Sequence, residues 1–131
     1  MSTSTFNGWA GSSIAGGAAA YVFVGPTVTV TTTGNLQRIT GAAEAPLGVS
    51  TGTGSAYVGL CYQPSGGGTI TNFVGGAYSI VEFNTTRMTY AASASIVPGA
   101  GTWVVGYCVQ NIGTQAINDN DYVNGWVQVT N

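Results

Sequence analysis

The chain alternates apolar and polar residues with a period of two, and glycine or proline breaks the pattern about every ten residues. Thr27-Val28-Thr29-Val30-Thr31 is the plainest case, with Val28 and Val30 set to face a core. Near the end, Val123, Val127 and Val129 fall on one side, and Trp126 and Gln128 on the other. No stretch carries a helical period. Short strands at such spacing predict an all-β fold, an antiparallel two-sheet β-sandwich or a closed barrel, with eight to ten strands and no helix beyond about two turns.

The strands are expected at residues 20–24, closed by Gly25-Pro26, and at 27–31. Gly34-Asn35 suits a hairpin turn that returns residues 36–40 against 27–31. Residues 41–56 read as a long loop with a short strand near Pro46-Leu47-Gly48. Further strands are expected at 56–63, 69–74, 77–83, 87–97, 102–110 and 122–130, with a polar loop at 111–121. Residues 1–19 are rich in Ser, Thr, Gly and Ala and read as an arm, flexible or docked as a strand, ahead of one domain at 20–131. From Phe6, Trp9 and Ile14 alone that segment has large anchors.

Only 5% of the 131 residues are charged, against about 25% in an average protein. There is no Lys and no His; Arg38 and Arg87 face Glu44, Glu82, Asp119 and Asp121. Two arginines are too few to grip a phosphate backbone, so no nucleic acid partner is expected. No apolar stretch approaches the length of a membrane span, so no membrane insertion is expected. Met1-Ser2-Thr3-Ser4-Thr5 has no basic n-region, so no signal peptide is visible. Low charge removes the repulsion that keeps proteins apart, which suits tight self-association.

The same inventory argues against an enzyme. Without His or Lys, a Ser or Cys nucleophile lacks its usual base. Glu44 and Glu82 could be put forward as a glycosidase pair, but solvated carboxylates are the better reading. Gly66-Gly67-Gly68 has no following helix and no Lys, so it is a turn rather than a phosphate cradle. Asn118-Asp119-Asn120-Asp121 is the one acidic constellation. Asn118, Asp119 and Asp121 offer hard oxygens of the kind calcium takes, and the same residues also suit a polar turn. No other cofactor is expected. Asn84-Thr85-Thr86 fits a glycosylation acceptor.

Cys61 and Cys108 allow one bridge, or two buried thiols. They sit in matching segments, Val58-Gly59-Leu60-Cys61-Tyr62-Gln63 and Val105-Gly106-Tyr107-Cys108-Val109-Gln110. A duplicated half-fold whose two strands pair would produce this echo; so would convergence on small-residue packing.

Pro98-Gly99-Ala100-Gly101-Thr102-Trp103-Val104-Val105-Gly106-Tyr107-Cys108-Val109, followed by Tyr122, Gly125, Trp126 and Val127, resembles the end of a bacterial jelly-roll module of the TNF-like and complement-globular-head superfamily. The resemblance implies a jelly roll of ten strands, a homotrimer and a recognition or stalk-tip role. The chain departs from that family in lacking a Gly-X-Y segment and in its low charge.

Three functions follow as expectations. The first is a non-enzymatic, self-associating structural or adhesion module, extracellular or on a cell surface, homotrimeric or filamentous. Edge strands normally carry charge, and the lack of Lys leaves them open; Tyr21, Phe23, Trp103 and Trp126 are the aromatic candidates for a subunit interface. The second is a calcium-dependent carbohydrate-binding module using the 118–121 loop. The third is a coat or decoration subunit of a virus or filament.

Overall fold

The computed structural model describes residues 1–131. It contains nine strands and no helix: β1 (Ser2–Trp9), β2 (Val22–Thr32), β3 (Arg38–Leu47), β4 (Gly54–Pro64), β5 (Thr71–Asn72), β6 (Ile80–Phe83), β7 (Met88–Ile96), β8 (Gly101–Asn111) and β9 (Tyr122–Thr130). A four-stranded sheet runs β1-β9-β3-β7, and a five-stranded sheet runs β2-β8-β4-β5 with β6 also paired to β4. All pairings are antiparallel.

The topology is a set of nested hairpins. β4 pairs β6, β3 pairs β7, β2 pairs β8, and β1 pairs β9. Rolling that long ribbon up brings β9 beside β3 and β8 beside β4. The result is a jelly-roll sandwich. The 10–21, 48–53, 84–87 and 112–121 connections meet at one end, tied by bonds such as Ile14 N to Ile117 O and Val49 N to Asn84 O. The chain termini and the 33–37, 65–70 and 97–100 connections lie at the opposite end, and 73–79 runs along the middle of β4.

Alternation builds the core between the sheets. Val30, Val58, Leu60, Val105, Tyr107, Val123 and Val127 are buried, and Val28 packs against them half-buried. The Tyr107 hydroxyl donates to Tyr90 O at 3.0 Å, and burial pushes this phenol well above the ordinary tyrosine range.

Several sequence expectations are overturned. Residues 36–40 do not return against 27–31; β3 lies in the other sheet, between β9 and β7. The expected loop at 41–56 is largely strand, held extended between β9 and β7, with the small residues Gly41, Ala43 and Ala45 on its buried side. A side chain at Gly41 would strike Val127 and the Trp126 carbonyl. The two strands placed at 20–24 and 27–31 are one, β2, with a register shift between Phe23 and Thr27 where Gly25 has φ +77°. The strand expected at 69–74 shrinks to the two residues of β5. The N-terminal segment, by contrast, is docked as a strand: residues 2–9 are β1, and Phe6, Ala10 and Ile14 are buried in the common core.

Candidate functional site

Cys61 and Cys108 are bridged, with Cα atoms 5.7 Å apart. The two matching segments are the paired centres of β4 and β8. Gly59 faces Cys108 and Gly106 faces Cys61, symmetrically about the Leu60–Tyr107 pair. Leu60 and Tyr107 point into the core, so the bridge lies on the outer face of the five-stranded sheet. It is nevertheless fully buried. Asn72 fills the space that a side chain at Gly59 would need, and the Phe23 ring lies over Gly106. The Asn72 amide nitrogen donates to the Tyr21 hydroxyl at 3.2 Å, and that hydroxyl donates to Gly76 O at 3.0 Å. Burial raises the Tyr21 phenol pKa, with the Asn72 bond acting in the opposite direction.

Thus Tyr21 and Phe23, named above as interface candidates, cover the chain's own disulfide. Trp103 is half-buried at the far end, its indole N–H donating to Thr32 Oγ1 at 3.0 Å and its ring edge-on to Tyr62. Of the four aromatic candidates, Trp126 stands apart. It is 40% exposed on the outer face of the four-stranded sheet, the face that also carries exposed Tyr122 and Trp9 further along.

That face holds a groove of about 640 Å³. Strand register sets its rows. Asn7 of β1 faces Asn124 of β9, which faces Glu44 of β3, which faces Ala91 of β7. The next row is Thr5, Trp126, Ala42 and Ser93. Phe6 anchors β1 from below, its ring filling the place a side chain at Gly125 would take.

The 118–121 loop lies elsewhere, at the end of the sandwich. Arg87 reaches Asp119 at 3.1 Å and Asp121 at 3.2 Å. Asn118 is turned away onto Ser50, accepting from its backbone N–H at 2.8 Å and donating to its hydroxyl at 3.0 Å. Asn120 donates to Gly11 O and Ile117 O. The positive charge facing these two carboxylates is Arg87, and no group of three or more His, Cys, Asp and Glu side chains gathers anywhere in the chain. Asn118 is therefore separated in role from Asp119 and Asp121, which the sequence reading had grouped.

Asn7 and Asn124 were missed in the sequence. The available signal was the matched alternation of Thr5, Asn7, Trp9 with Tyr122, Asn124, Trp126. No protein-family model matches the chain, and no curated protein matches it either.

Proposed function

We propose that this protein is a non-enzymatic, self-associating structural module of the extracellular space, joined through the edges of its four-stranded sheet, with a homotrimer as the favoured assembly. The observation that carries this is the character of the edges. β1 and β7 have no charged residue, no proline and no register shift. Exposed edges of that kind invite pairing with another chain. The edges of the five-stranded sheet differ: β2 carries the shift and Pro26, and β5 and β6 are two and four residues long. A β1-to-β7 contact between copies is head-to-tail, so it closes into a ring or runs on as a filament. The trimer is taken from the TNF-like resemblance of the sequence, which a jelly-roll order accommodates. A disulfide suits an oxidising compartment.

Sedimentation velocity at micromolar concentration tests the proposal. A particle about three times the 13.2 kDa chain is expected. Thr3→Lys combined with Ser95→Lys places charge on both edges and should return a folded monomer. A wild-type monomer, or an assembly indifferent to that pair of substitutions, would sink the edge-pairing account.

A further inference from the structure

We propose that the groove on the four-stranded sheet binds a neutral saccharide, stacked on Trp126 and held by Asn7, Asn124 and Glu44. The inference does not rest on the assembly, because pairing at the edges leaves the face open.

The polar side chains of the groove are unusual for this molecule. Six of the seven asparagines outside the groove are tied into the chain: Asn72 to Tyr21, Asn84 to Thr86 N, Asn111 to Ile14 O and Gln115 O, Asn118 to Ser50, Asn120 to Gly11 O and Asn131 to Gln37; the exception is Asn35, exposed in the turn before β3. Asn7, Asn124 and Glu44 make no side-chain hydrogen bond to the protein, although strand register lines them up across three neighbouring strands. The tryptophans show the same contrast. Trp103 has its indole N–H satisfied by Thr32, whereas Trp126 lies open with its N–H unpaired.

A pyranose ring has one face of C–H groups and a rim of hydroxyls. The negative face of an indole attracts those C–H groups, and the amides and carboxylate can both orient and accept the rim hydroxyls. The Asn7–Asn124–Glu44 row spans two inter-strand spacings, roughly 10 Å, which matches about two sugar rings. Ala42 and Ala91 keep the floor low enough for a ring to descend beside the indole. The groove volume falls within the range of small-ligand sites, roughly 300–1,000 Å³. Its only charge is Glu44, and neither arginine lines it. An anionic ligand would meet repulsion with nothing to offset it, so the chemistry fits an uncharged sugar.

Isothermal titration of the full chain with hexasaccharides of glucose, mannose, galactose, xylose and N-acetylglucosamine, and with hexagalacturonate, tests this. At least one neutral hexasaccharide should bind, and hexagalacturonate should not. Trp126→Ala should weaken binding by about tenfold or more, and Asn124→Ala and Glu44→Gln each by about threefold. Asn7→Ala, at an exposed edge position, serves as a second groove variant should Trp126→Ala disturb folding. The edge-charged Thr3→Lys, Ser95→Lys protein should keep its saccharide affinity, which separates this proposal from the assembly. Binding should persist in EDTA. No binding by any neutral hexasaccharide, equal binding by the Trp126→Ala and Asn7→Ala proteins, or loss of binding on chelation would each overturn the proposal, the last by moving the ligand to the Asn118–Asp121 end.

Discussion

On the outer face of the five-stranded sheet the chain covers itself, with Phe23, Tyr21 and Asn72 laid over a buried disulfide. On the outer face of the four-stranded sheet, Trp126 stands exposed beside a floor of alanines, with Tyr122 and Trp9 exposed further along the same face. Both sheets share one core and much the same composition, so hydrophobicity alone does not separate them. The difference lies in where polar groups find partners. Asn72 is buried and bonded within the chain, while Asn7 and Asn124 have their amides free. A covered face adds stability; a bare one is left for something outside the chain.

Removing the disulfide is the strongest way to test that contrast. With a sequence separation of 47 residues, loop-closure entropy puts the bridge at about 4 kcal/mol. The Cys61→Ala, Cys108→Ala protein should lose about that much in urea unfolding. A loss under about 1 kcal/mol would mean that the covering side chains hold this face unaided. Asn72→Ala comes next. It strips the bond to Tyr21 and the acceptor for Val74 N–H, and should cost about 1–3 kcal/mol by the same measurement. Trp126→Ala should change stability least, within about 0.5 kcal/mol, as expected of a surface residue with no structural partner. A loss near 2 kcal/mol would show that Trp126 packs on its own chain, and would erase the distinction between the faces.

The sequence was most legible where alternation and burial agree. β7, β8 and β9 fall within a residue or so of the spans read from pattern, since each carries a period of two or a continuous apolar run. β3 was hidden because its residues, Gly41 to Pro46, have poor strand propensity. They are extended because β9 and β7 flank them, and small because Val127 crowds the inner side. β1 was hidden for a related reason: Phe6 is its one buried side chain, and its partner lies at the far end of the chain. The groove inherits this difficulty. Trp126 stands out as an aromatic and Glu44 as a carboxylate, yet the small residues around Glu44 read as a loop. Nothing local to Asn7 or Asn124 says that they share a row with it. Only the register of strands far apart in sequence brings the three together.

The nested hairpins have a mechanical consequence. Ser2 faces Val129 on adjacent antiparallel strands, so tension applied at those two residues pulls in opposite directions across one pair of the ladder at a time. The β1–β9 seam then unzips rather than shears, and yields at low force. Extension cannot continue through the whole chain. The Cys61–Cys108 bridge carries the load directly from β4 to β8, and the segment between the two cysteines is never put under tension. Under load the molecule behaves as a compliant tether ending at a covalent stop, and the heart of the five-stranded sheet lies at that stop.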